Sequence, residues 1–131
     1  MIGIDTNVLL RLWLDDDPTQ SHRIDILLGE HGHAAGSLLV SDVVLAEAVG
    51  TLGSAYSQGK ADQLKAVRSL LDEAAFAFEN RDAVAAALAL CQRSTCGFSD
   101  CLIAAKYAAL GCEFTATSDK RMGKLDGVQL I

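Results

Sequence analysis

Hydrophobic and polar positions along the chain alternate between short apolar runs and longer blocks of helical spacing. The short runs Ile2–Asp5, Leu38–Val40, Ala75–Phe78, Glu113–Thr117 and Val128–Leu130 predict strands. Between them, Pro18–Leu28, Asp42–Tyr56, Lys60–Asp72, Asp82–Arg93 and Asp100–Leu110 predict helices, and a further helix is expected to begin near Val8. Pro18 suits a first helical turn, where its missing N–H costs nothing. Gly29, Gly59 and Gly111 suit helix ends. The runs carry apolar residues on both sides, as a covered parallel sheet requires. The β/α alternation therefore predicts an α/β fold: a short, mostly parallel sheet with helices on both faces. No internal repeat, low-complexity segment or linker interrupts the pattern, so residues 1–131 are expected to form a single domain.

Composition narrows the class. Half of the residues are hydrophobic and 21% are charged, which argues against disorder. No apolar run reaches membrane-spanning length, and the first residues hold no basic region leading into an apolar stretch. A cytoplasmic protein with no membrane partner is the expectation. The cysteines, Cys91, Cys96, Cys101 and Cys112, form no C-x-x-C pair, and His22, His31 and His33 lie far from them in sequence. Reduced thiols, partly buried, are expected rather than a zinc site. The net charge of −6 argues against a protein held to nucleic acid by broad electrostatics. It leaves room for an enzyme that reaches nucleic acid through bound cations, which invert the local field.

Candidate chemistry lies in four acids. Asp5 closes the first apolar run, and in open α/β sheets ligands gather at the carboxyl ends of strands. Asp5, Thr6 or Asn7 could equally cap the helix that follows. Glu47 lies in "SDVVLAEAVGTL", where Ser41 is a plausible N-cap and Asp42 a favourable first-turn acid. There Val44, Glu47, Ala48 and Thr51 share one helix face, beside a row of Leu45, Val49 and Leu52. A partly buried glutamate on the core side is the expectation, with a salt bridge as the bland account. Asp100 opens "SDCLIAAKYAAL", as a cap or as an inward-aimed carboxylate, on a face continued by the core-type residues Ile103, Ala104 and Tyr107. Asp119 follows the run "EFTAT" in a segment of ordinary loop residues. Four carboxylates approaching one rim would raise one another's pKa, and a divalent cation removes that conflict. All-oxygen ligands favour Mg²⁺ or Mn²⁺. Such a site activates water and stabilises phosphoryl charge, which points to phosphodiester hydrolysis.

The sequence resembles a PIN-domain ribonuclease, and more closely a VapC-type toxin of a bacterial toxin–antitoxin pair. The stretches that carry the resemblance are "IGIDTNVLLRLWLDDDP" with Asp5, "VSDVVLAEAVGTLGSAY" with Glu47, "GFSDCLIAAKYAALGC" with Asp100 and "FTATSDKRMGKLDGVQLI" with Asp119. It implies a PIN-like three-layer fold and a Mg²⁺- or Mn²⁺-dependent endoribonuclease that cleaves cellular RNA, inhibits translation and is silenced by a cognate antitoxin. It implies Asp5 and Asp100 as central metal ligands, with Glu47 and Asp119 completing the acidic pocket directly or through water. Thr6 and Asn7 would orient Asp5 and the first helix. Arg11, Lys120, Arg121 and Lys124 are candidates for RNA phosphate contact, with a solvated surface charge as the bland account of each. A homodimer is also implied. Part of the hairpin Asp42–Asp72 is expected to serve as interface, because Val43, Leu45, Leu52, Tyr56, Leu64, Leu70 and Leu71 exceed what one face of a small sheet covers.

Three other readings compete, and one of them, a purely structural interaction module, fits the apolar content but leaves the four acids unexplained. A haloacid-dehalogenase-type phosphatase also uses an Asp after its first strand, but needs a second acid where this chain has Asn7. A receiver domain accepts a phosphoryl group in an acidic pocket. Here Val40 leads into Ser41–Asp42 and Phe78 into Glu79, which gives no convincing acceptor.

Overall fold

The computed structural model describes residues 1–131 as two compact units, Met1–Glu79 and Asn80–Ile131. The first contains β1 (Ile2–Gly3), α1 (Thr6–Leu14), α2 (Pro18–His31), β2 (Leu38–Val40), α3 (Asp42–Ser54), α4 (Lys60–Asp72) and β3 (Phe76–Phe78). The second contains α5 (Arg81–Gln92), α6 (Phe98–Ala109), β4 (Thr115–Thr117), a 3-10 turn at Met122–Lys124 and β5 (Val128–Leu130).

In the first unit β2 lies between β1 and β3, and both pairings are parallel. Ile2 faces Leu38, and Leu38–Val40 face Phe76–Phe78 in register. The middle strand is the most deeply set: Leu38 and Val40 are fully buried. Each parallel step needs a crossover, and helices supply it. Helix α1 turns Leu9 and Leu10 inward, α3 turns Leu45, Ala48, Val49 and Leu52, and α4 turns Leu64, Val67 and Leu70. In the second unit β4 pairs with β5 in parallel, Thr115 opposite Val128 and Thr117 opposite Leu130. Helices α5 and α6 pack on each other, with small side chains among their buried residues, Ala83, Ala87 and Cys91 on α5 and Cys101, Ala104 and Ala105 on α6.

Side-chain caps set three of the six helix starts. Asp17 accepts from the N–H groups of Thr19 and Gln20 ahead of Pro18, Ser41 Oγ accepts from Val44, and Asn80 Oδ1 accepts from Ala83. Glu79, the residue after β3, accepts from the Asp42 N–H at 3.1 Å and so closes α3 from outside that helix. Two expected punctuation points move. Gly29 lies inside α2, which runs on to His31 and stops where Gly32 donates to the Leu28 carbonyl. Gly59 begins α4 as its N-cap rather than ending a helix. Gly111 does end α6, with φ +89. A Cβ at Gly123 would stand 3.0 Å from the Leu130 Cβ, so the 3-10 turn packs closely against β5.

Most of the apolar set expected on α3 and α4 is covered within the chain, with Leu71 half-buried. Leu45, Leu52, Leu64 and Leu70 are buried in the chain's own core, and only Val43 and Tyr56 of that set are exposed. No helix is long and apolar enough to cross a membrane.

Candidate functional site

Asp5 follows β1 and occupies the N-cap position of α1, with extended backbone at φ −82 and ψ 162. Its carboxylate caps nothing: no backbone N–H of α1 donates to it, and the side chain is exposed. Thr6, the next residue, is buried, and Asn7 is exposed. The strand holds the acid in place through backbone bonds, Ile2 N–H to Ser37 O and Ile4 N–H to Leu39 O, at 2.8 and 2.9 Å. The sequence left Asp5 open between cap and ligand; the geometry removes the cap.

Glu47 corrects an expectation. It is exposed, because the buried stripe of α3 is Leu45, Ala48, Val49 and Leu52, and Val44 and Thr51 are only half-buried. The row beside Glu47 is the core row, and the glutamate lies off it. Neither Asp5 nor Glu47 forms a salt bridge.

In the second unit Asp100 is not the cap of α6. Gly97 holds that position, so Asp100 falls in the first helical turn, half-buried. Of the residues expected to continue its face into the core, only Ala104 is buried; Ile103 and Tyr107 are exposed. Asp119 is the acid with a structural task. Its Oδ1 accepts from the N–H groups of Arg121 and Met122 at 2.8 and 3.2 Å, while Thr117 Oγ1 accepts from its own N–H. One carboxylate oxygen is thereby engaged and the other is left over.

The acids divide as Asp5 and Glu47 in the first unit, Asp100 and Asp119 in the second, and within neither unit are three or more His, Cys, Asp or Glu side chains gathered to hold a metal ion. The donor chemistry itself fits a hard cation. Asp5, Glu47 and Asp100 are carboxylates without a competing ion pair, and all four acids offer oxygen only.

Among the expected RNA contacts, Arg11 is already engaged. Its Nη1 donates to Asp16, its Nη2 donates to the Tyr56 phenol at 2.6 Å, and its guanidinium lies over the Tyr56 ring. Those partners, the Tyr56 hydrogen bond foremost, raise its pKa further. Lys120, Arg121 and Lys124 are exposed and form no salt bridge. The structure adds a cleft of about 200 Å³ lined by Asn7, Val8, Arg11, Gln20, Arg23 and Ile24. Arg23 and Gln20 were not singled out from sequence. Their one legible signal is the i, i+3, i+4 spacing of Gln20, Arg23 and Ile24 on α2.

The thiols are as expected: all four are free, with Cys91, Cys96 and Cys101 buried and Cys112 exposed. Cys91 donates to the Cys96 carbonyl and Cys96 to the Arg121 carbonyl, both at 3.4 Å.

The model of one family, the PIN domain, matches residues 2–128. The chain belongs to the PIN domain family. No curated protein matches the sequence. PIN domains are in general metal-dependent nucleases, using a divalent ion such as Mg²⁺, and PIN-domain nucleases bind RNA. The α/β architecture, with its helices and short parallel strands, agrees with that membership. The rival readings lose ground on the same residues. Asn7 stands where a dehalogenase-type phosphatase needs its second acid, and the carboxylate after β3, Glu79, is bonded to the start of α3.

Proposed function

We propose that this PIN domain is a Mg²⁺- or Mn²⁺-dependent endoribonuclease, the toxin of a type II toxin–antitoxin pair, which cleaves cellular RNA connected with translation and is neutralised by a cognate antitoxin. The reading places the protein in the cytoplasm, as a homodimer. The observation that carries it is the uncommitted carboxylate of Asp5: an acid at the end of a parallel strand, in a capping position, that caps nothing. Structure does not account for that residue, whereas chemistry does.

In this reading Asp5 and Asp100 are the central metal ligands, with Glu47 and the free oxygen of Asp119 completing the acidic set. The cation, when bound, neutralises phosphoryl charge and supplies an activated water. The chain's own residues prepare for it. Strand β1 fixes Asp5, Asp100 lies in the first turn of α6, and Thr6, buried, begins α1 directly after Asp5. Asn7, exposed two positions further on, would orient it. Lys120, Arg121 and Lys124 offer phosphate contacts.

The test is direct. Purified, partner-free protein should cut RNA with Mg²⁺ or Mn²⁺ and stop in EDTA. Equal cleavage in EDTA would remove the metal mechanism. No RNA cleavage, with phosphoryl transfer onto the protein from a small donor, would favour the receiver reading instead.

A further inference from the structure

The cleft at Asn7, Val8, Arg11, Gln20, Arg23 and Ile24 brings the residue two positions after Asp5 together with one face of α2. Its floor is apolar, from Val8 and buried Ile24, and its rim carries side-chain amides and guanidinium groups. No acidic side chain lines it, although the chain carries a net charge of −6. The two arginines differ in availability. Arg11 is bonded to Asp16 and Tyr56, while Arg23 is exposed and in no salt bridge. Asn7 and Gln20 are likewise exposed at the rim. An apolar floor with a planar cation and amide donors above it matches one unit of a single-stranded nucleic acid, with sugar and base against Val8 and Ile24 and the phosphate at the guanidinium.

From this geometry we infer that the cleft is a substrate subsite, in which Arg23 binds a backbone phosphate of single-stranded RNA next to the phosphodiester held at Asp5. The inference rests on the ribonuclease reading and extends it, assigning strand binding to α2, which holds none of the acids. The commitments of Arg11 make it a wall of the subsite rather than its anion contact. Gln20 and Asn7 line the same cleft as Arg23, and Asn7 lies two residues after Asp5.

The experiment reads binding apart from cleavage. A short fluorescein-labelled single-stranded oligoribonucleotide is titrated by anisotropy over a salt series with Mg²⁺ present. An Asp5→Asn background keeps turnover from consuming the probe, and Arg23→Gln and Arg23→Lys are compared with it. Loss of one phosphate contact on a single strand lowers the slope of log affinity against log salt by about 0.7. Arg23→Gln should show that drop and weaken binding about tenfold at low salt, Arg23→Lys should keep most of the slope, and melting temperatures should stay together because Arg23 is exposed on a helix. With Asp5 restored, Arg23→Gln should raise KM more than it lowers kcat. An unchanged slope and affinity in Arg23→Gln, while the parent binds the probe, would overturn the subsite. So would a change confined to self-association or to protein-partner binding, which would make α2 a protein interface. If the parent fails to cut RNA yet binds it with an Arg23-dependent slope, the ribonuclease reading falls and the subsite stands as an RNA-binding cleft.

Discussion

The Arg11 guanidinium donates to the Tyr56 phenol at 2.6 Å and stands 5.9 Å from the centre of that ring. The pair joins α1 to the residues just past α3 and takes up a cation that the sequence offered as an RNA contact. Arg11→Ala should therefore lower the melting temperature, since it removes a stem that is 17% exposed as well as the charge. Tyr56→Phe, which keeps the ring, should lower it less. Neither should alter the salt slope of RNA binding. Thermal melts and anisotropy titrations of both variants check this, and a slope change in Arg11→Ala would return the residue to the RNA.

Asp5→Asn should abolish cleavage and leave the metal-free protein as stable as the parent or more so. No cap is lost, and one negative charge leaves the acidic set. Mn²⁺ should raise the melting temperature of the parent by preferential binding to the folded state, and raise that of the variant less. Full activity with an unchanged metal response would show that Asp5 is not a ligand.

Asp119 should behave differently. Asp119→Ala removes the acceptor for Arg121 and Met122 and should cost about 1 kcal/mol of stability, as for other lost caps. Asp119→Asn keeps an acceptor and should hold the fold while lowering activity. Urea melts beside cleavage assays separate the two tasks of this carboxylate. Equal stability of both variants would mean that the turn does not depend on it.

Burial, opposed by a hydrogen bond with Ser94, pushes the Cys101 thiol up from 9.0 to about 11. The folded state therefore holds that proton more tightly than the unfolded state. The stability it contributes is fully present below about pH 9 and is lost as pH rises toward about 11. The urea midpoint should fall across that window, and Cys101→Ala should fall less. At neutral pH a thiol reagent should modify Cys112 quickly, and Cys91, Cys96 and Cys101 only once the protein unfolds.

The elements were largely legible because periodicity reports burial directly. Leu38–Val40, Lys60–Asp72 and Val128–Leu130 have the bounds the pattern gave them. Ends were less so: Ile2–Asp5 pairs only as Ile2–Gly3, and α6 starts at Phe98 because Gly97 rather than Ser99 or Asp100 is its cap. The acids were legible as residues but not in their surroundings. Glu47 and the Ile103–Tyr107 face looked inward from spacing, yet a helix with apolar residues around much of its girth does not declare which stripe the core takes. Asp5 and Asp119 look alike in sequence, each in a run of capping residues, and only backbone geometry shows that Asp119 caps while Asp5 does not. Arg23 was missed because one cation on a polar helix face carries no signal until the opposite wall of its cleft, Asn7 and Val8, is in place.

Gly123 has a bearing on how mutational surveys of this protein will read. A side chain there would press on Leu130 and push away the turn whose start Asp119 caps. In a saturation library scored by cleavage, bulky replacements at position 123 should be depleted more than alanine, although glycine contributes no functional group. Selection maps of the segment from Thr117 to Leu130 will thus mix steric intolerance with chemistry. Only a parallel screen for folded protein, without regard to activity, will tell the silent glycine from the acid four residues before it.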